Sequence, residues 1–247
     1  MPGYQTKQEH IGIAGVADLV IRSLLDRQQF ADPRGEAERL GISSAAWPLF
    51  GLLCPSAAQL AARLALRPVL EGERILELGC GLALASLVGH RRGADVTASD
   101  RHPLAPSFLR ENVLLNALLP MKYGHADWEQ PEPAPFAAGT GEADSVRGRF
   151  QLIIASDVLY ERDVDGALAG FIDRHAAAHG EVWIVDPDRG NRPAFNRFMA
   201  AAGFDLSELR LDSVATPHAP AYKGRLLTYR RGAITSSTLL QGVADQC

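Results

Sequence analysis

Cysteine, excess charge and long apolar runs are all scarce in this chain of 247 residues. The three cysteines, Cys54, Cys80 and Cys247, share no metal-type spacing and do not amount to a disulfide framework. Cys80 lies inside a glycine-rich turn, so a reduced setting is the easier expectation. The net charge is only −4. Arginines stand in small groups (Arg91 and Arg92, Arg147 and Arg149, Arg230 and Arg231) rather than a stripe, so nucleic acid is not an expected partner. No uninterrupted apolar run long enough to span a bilayer is read, and there is no charged-then-apolar leader. The expectations are no membrane partner and a cytoplasmic setting. No internal repeat and no G-x-S-x-G elbow occur. His175 and His179 stand four apart in a helix-like run, but only alanines separate them and the general-base glutamate is missing, so no metal is expected. Asp186, Asp188 and Asn191 fall short of a calcium loop, because Gly190 takes a ligand position and Arg197 stands where a bidentate glutamate belongs. The loop that holds them, after a fifth strand, is better read as the lip of a substrate pocket.

What the chain does have is hydrophobic content of 47%, ample for one core at 26.6 kDa. Its organising stretch is Arg74 to Ser86, RILELGCGLALAS. Ile75, Leu76 and Leu78 read as a buried strand, Gly79 and Gly81 as a turn, and Leu82 to His90 as a helix. Strand, glycine turn and helix in that order form the first crossover of a doubly wound α/β fold, where a cofactor lies against the turn. The spacing departs from the dinucleotide pattern G-x-G-x-x-G, because Glu77 precedes the glycines. A carboxylate there would repel a pyrophosphate and suit a cationic cofactor, which points to S-adenosylmethionine.

The remaining elements fall in series. His10 to Leu25 fits a hairpin or a helix, with the hairpin favoured, and a turn at Asp32-Pro33 precedes a short helix. Ser56 is placed to cap a helix over Ala57 to Leu66. Strands are expected at Ala94–Ser99, Lys122–Ala126, Phe150–Ala155 and Glu181–Val185, with an antiparallel edge pair at Asp205–Leu211 and Arg225–Tyr229. Helices are expected at Phe108–Leu119, Phe171–Ala178 and Ala194–Ala202. The fold class is therefore a doubly wound, mostly parallel seven-stranded sheet with an N-terminal extension (1–55), a core (56–231) and a loose tail (232–247). The stretch 129–149, rich in proline and glycine, reads as an inserted loop. Asp100 closes the second strand, where a ribose-binding carboxylate belongs. Asp127 and Trp128 close the third, an acid for an exocyclic amine beside a ring for a base.

In order, ELGCG at Glu77 to Gly81, Asp100, Asp127-Trp128 and the D-x-x-Y of Asp157 to Tyr160 resemble the Rossmann-like seven-β-strand methyltransferases. The closest likeness is to the lysine-methyltransferase group called methyltransferase family 16, in its bacterial nicotinamide N-methylase-like branch. The resemblance implies an S-adenosylmethionine-dependent N-methyltransferase acting on a protein lysine or terminal amine. A small nicotinamide-like heteroaromatic, or a cofactor-binding scaffold without catalysis, is the alternative. It also implies that Glu77, Gly79, Cys80 and Gly81 hold the methionine end of the cofactor, Asp100 and Arg101 the ribose, and Asp127 and Trp128 the adenine. Trp47 would border the cofactor. Ser156, Asp157 and Tyr160 would line the acceptor mouth, with Asp157 orienting the amine and Tyr160 shaping the channel. Ala83 replaces the third glycine of the family's motif, a departure expected only to tighten the helix approach. Cys54 stands where a second tryptophan is expected.

Overall fold

Short apolar runs with a period of two make both faces of the central sheet, and glycine turns decide which end of it stays open. A computed structural model describes residues 3–129, 145–160, 165–215 and 221–232. Most of the expected inserted loop and nearly all of the expected tail lie outside those residues. In chain order the elements are β1 (Thr6–Ile13), β2 (Val16–Leu24), α1 (Glu36–Arg39), a 3-10 turn (Trp47–Gly51), α2 (Pro55–Leu66), β3 (Arg74–Leu78), α3 (Leu84–Arg91), β4 (Asp95–Asp100) and α4 (Ala105–Leu115). There follow β5 (Lys122–His125), β6 (Phe150–Ser156), α5 (Ala167–His175), β7 (Ala176–Asp186), α6 (Arg192–Ala201), β8 (Phe204–Arg210) and β9 (Arg225–Arg231).

Seven strands form one sheet in the order β5-β4-β3-β6-β7-β9-β8. The first five run parallel, while β9 is antiparallel to both β7 and β8. Strand order reverses between β3 and β6, and a doubly wound sheet opens its ligand crevice at the carboxyl ends beside that reversal. Alternation divides the core. Ile75, Val96, Leu152 and Ile154 face α2, α3, α4 and the hairpin. Leu76, Leu78, Ile153 and Ala155 face α5 and α6. Both faces being covered, β3 and β6 carry near-continuous apolar text, as parallel strands must.

The N-terminal extension is a hairpin, β1 with β2. Ile13, Leu19, Ile21 and Leu24 are buried and join the same core as α2 to α4. Two asparagines one helical turn apart, Asn112 in α4 and Asn116 at its C-cap, close the hairpin's open edge. Asn112 accepts from the Arg22 amide (2.8 Å), and Asn116 accepts from the Val20 amide (2.9 Å) while donating to the Val20 carbonyl (2.8 Å). Their amides take the ladder positions a further strand would occupy, which blunts an exposed edge. Gly51 completes the seam, since a Cβ there would stand 2.5 Å from Leu24 Cγ.

Three expectations are corrected. Ser56 does not cap α2: Cys54 holds the cap position with Pro55 at the first turn, and the Ser56 hydroxyl bonds the Tyr222 hydroxyl instead (2.9 Å). The helix read through Ala178 stops at His175, because Ala176 enters the sheet opposite Phe150 and its carbonyl is taken by Arg149 (2.7 Å) and Arg231 (3.0 Å). His175 and His179 therefore do not share a helix face, and no metal-type cluster occurs among the described residues. Finally, Trp47–Leu66 is long and apolar enough by composition to cross a bilayer. The chain breaks it at 52–54, between the 3-10 turn and α2, and buries Leu60, Ala61 and Leu64 in the protein core.

Candidate active site

The glycine turn after β3 exists because its backbone adopts what side chains resist. Gly79 and Gly81 have φ of +58° and +52°, in the left-handed region. A Cβ on Gly81 would lie 2.8 Å from the Phe50 carbonyl oxygen, so the 3-10 turn and the glycine turn touch backbone to backbone. Ala83 is also left-handed, at +58°, and opens α3. The alanine at the third motif position is thus strained at a cost of about 1 kcal/mol, rather than simply tightening the helix. The Cys80 amide donates to the Ser99 carbonyl (2.9 Å), which ties the turn to β4.

Above this turn lies a cavity of about 460 Å³ at the carboxyl ends of β3, β4 and β6, within the size range of small-molecule sites. Of the residues singled out from the sequence, Gly79, Cys80, Gly81, Asp100, Arg101, Trp128, Ser156, Asp157 and Tyr160 line it. Asp100 is buried; its carboxylate accepts from the Gly81 amide (2.8 Å) and the His102 amide (2.8 Å). Burial still pushes its pKa up against these bonds, leaving a carboxylate able to take further donors. Arg101 beside it pairs with Glu129 (2.9 Å).

Glu77, Trp47 and Asp127 are not brought to the cavity wall. Glu77 is 1% exposed, and its carboxylate accepts from the Ser86 amide (2.9 Å) and the Ser86 hydroxyl. It serves the first turn of α3 from inside the core, and burial lifts its pKa to about 7. The alternation that puts Ile75 on one face of β3 puts Glu77 there too, under the helix. Trp47 is buried one layer back, edge-on to Phe50 and His102. Asp127 accepts from the Glu129 amide (3.1 Å), and its neighbour Trp128 supplies the ring at the wall.

The acceptor end is built around Asp157. It leaves β6 with φ +53°, rare outside glycine, held there by its amide bond to the Val185 carbonyl (2.8 Å). Such strain clusters at functional positions. Arg189 donates to it twice, from Nε to Oδ1 (2.8 Å) and from Nη2 to Oδ2 (2.9 Å), and the Cys54 thiol approaches Oδ2 at 3.7 Å. Burial raises the Cys54 pKa, and the Asp157 charge adds to it. The Arg189 amide in turn donates to Asp186 Oδ2 (2.9 Å), a fully buried carboxylate that burial raises to about 6.

Sequence reasoning did not single out Arg189, Phe50, Arg27 or His102, which also line the cavity. Arg189 had a signal, since its loop was read as the pocket lip. Phe50 had none, because only tertiary packing brings it over Gly81. His102 stacks on Phe50 at 3.7 Å, and burial depresses its pKa to about 3, which keeps the ring neutral.

No family model matches the chain. Over 184 residues it is 30% identical to protein N-lysine methyltransferase METTL21A of Danio rerio, spanning 73% of this chain and 77% of that protein. The chain belongs to the same methyltransferase family. It is also 27% identical, over 57% of its length, to the electron transfer flavoprotein beta subunit lysine methyltransferase of Xenopus laevis, and the match spans about half of that relative (53%). A 16S rRNA methyltransferase of T. thermophilus, solved with AdoMet and guanosine, has the same fold over 92% of this chain and 51% of its own, with a TM-score of 0.56 and 20% identity. S-adenosylmethionine is the donor expected from the sequence, and the T. thermophilus structure was solved with it. The cavity fits it through three features: a turn without side chains at Gly79 and Gly81, the buried carboxylate of Asp100, and the Trp128 ring.

Proposed function

We propose that the protein transfers a methyl group from S-adenosylmethionine to the side-chain amine of a lysine in a protein substrate. The observation that carries this reading is a partly exposed carboxylate, Asp157, at the acceptor end of the donor cavity in a chain akin to a lysine methyltransferase. The reading places the chain with the lysine methyltransferases of methyltransferase family 16. It takes residues 1–55 as an extension packed on the methyltransferase core, and the free thiols of Cys54 and Cys80 suit a cytoplasmic setting.

The bound donor supplies an electrophilic methyl group on a positively charged sulfur. Everything else falls to the chain. Asp100 would take the ribose hydroxyls, Trp128 would pack against the base, and the backbone of Gly79 to Gly81 would accommodate the methionine end. A lysine enters as an ammonium, which has no lone pair, so it must lose a proton before it can attack. Asp157 favours the charged form; burial and the neighbouring sulfonium disfavour it. Asp157 therefore orients the amine, and the proton passes to water. Orienting the amine in this way would contribute several kcal/mol without any covalent intermediate.

Incubating purified protein with radiolabelled donor and cell extract, then separating protein from small molecules, tests the reading. Label recovered as methyl-lysine in protein hydrolysates is expected. Label confined to small molecules, as a nicotinamide-like acceptor would give, overturns it.

A further inference from the structure

The acceptor carboxylate is already engaged. Arg189 holds Asp157 through two parallel hydrogen bonds, the planar fork geometry by which guanidinium recognises carboxylate. A lysine ammonium needs those same oxygens. Around Arg189 the backbone is pinned: its amide is on Asp186, Asp188 is bonded by Arg210 (2.8 Å) and Arg225 (2.9 Å), and Asn191 donates to the Leu159 carbonyl (3.0 Å). Its side chain, by contrast, is 46% exposed at the cavity rim. The loop stays put while the guanidinium can swing.

We propose that Arg189 determines specificity by selecting lysines with a carboxylate close by in the substrate, exchanging its bond to Asp157 for that carboxylate as the ammonium takes its place. The described carboxylates acting on Arg189 are Asp157 and Asp186. Asp186 is fully buried, and its Oδ2 already accepts from the Arg189 amide. Once the lysine occupies Asp157, the cation at the rim is left to water and to what arrives with the lysine, and a carboxylate there binds it better than water does. A lysine flanked by Asp or Glu keeps every charge paired through the exchange. One flanked by Lys or Arg sets two cations against Arg189. The substrate class is a lysine in an acidic neighbourhood, and this inference rests on the lysine reading above.

Three peptides identical except for Glu, Gln or Lys beside the target lysine, assayed for kcat/KM with the wild type, Arg189→Gln and Arg189→Glu, decide it. The wild type is expected to favour the Glu over the Lys peptide about two- to fivefold, the scale of a partly exposed charge pair. Arg189→Gln should flatten the series, and Arg189→Glu should reverse it. A structural role for Arg189 would lower all three rates together without reversing their order. The same order in all three proteins overturns the inference and leaves lysine methylation standing. Where the peptides are too short to be taken, mass-spectrometric mapping of lysines labelled in lysate by wild type and Arg189→Glu gives the same readout. Label on no lysine at all overturns the lysine reading itself.

Discussion

At the scale of single residues the proposed reading divides the site into a donor half and an acceptor half, each centred on one aspartate. Asp100 lies under the cavity with both oxygens on backbone amides, so Asp100→Asn removes a charge from the donor seat and leaves a similar shape. Donor affinity measured by calorimetry is expected to fall about 10- to 100-fold, the worth of one or two bonds to a charged group. Asp157 sits at the other end, on a strained backbone. Asp157→Asn should lower kcat by roughly 100-fold through loss of alignment, with the donor dissociation constant within about twofold of wild type by the same calorimetry. A fall in donor affinity with unchanged turnover would assign Asp157 to the wrong half.

Elements carry a different lesson, about what is local and what is not. The strands were legible because their apolar runs are short, alternating and bounded by glycine or acid, and the glycine turn because two glycines stand where a backbone must pass close. The hairpin was readable only as the better of two options, since its stability comes from elsewhere. Asn112 in α4 and Asn116 at that helix's C-cap hold the hairpin's edge across more than eighty residues of chain, and no local pattern announces that. Replacing Asn112 by alanine should cost about 1–3 kcal/mol by leaving the Arg22 amide without its acceptor. Hydrogen exchange at Val20 and Arg22 is expected to speed up well before exchange in β3. Equal acceleration throughout the sheet would mean the hairpin and core open as one unit. Tertiary packing hid the role of Phe50, which meets Gly81 from another element, and strand alternation hid that of Glu77. The acidic residue before the glycines was read by its neighbours in sequence as a ligand for a cation, whereas strand alternation turned it beneath α3.

For the whole molecule, that buried Glu77 couples stability to pH. Its pKa rises on folding, to about 7 from an ordinary value of 4.5, so the folded state binds the proton more tightly than the unfolded chain does. Stability from this group is full below the unfolded value. It declines as pH climbs from about 4.5 to 7, by up to ~3 kcal/mol, and is level above that. Asp186, lifted to about 6, works in the same direction. Denaturant midpoints are expected to fall between pH 5 and pH 8, and Glu77→Gln should shrink that fall. His102, depressed to about 3, opposes this fall up to its ordinary value of 6.5, so the deciding comparison is between proteins: equal pH dependence in wild type and Glu77→Gln would show that Glu77 takes up no proton on folding.

The contact between the Phe50 carbonyl and Gly81 has one more consequence. Part of the cavity's wall, Phe50, Leu52 and Cys54 included, is supplied by chain that precedes the sheet, and this forward strip is stitched to the hairpin through Gly51 and Leu24. A guest in that cavity must clamp two distant stretches of polypeptide at once, so occupancy is felt at the front of the molecule. Adding S-adenosylhomocysteine should slow tryptic cutting at Arg34 and Arg39 several-fold, since a ligand that binds only the folded form disfavours its local opening. Unchanged cutting at saturating ligand would mean that the strip and the seat move independently.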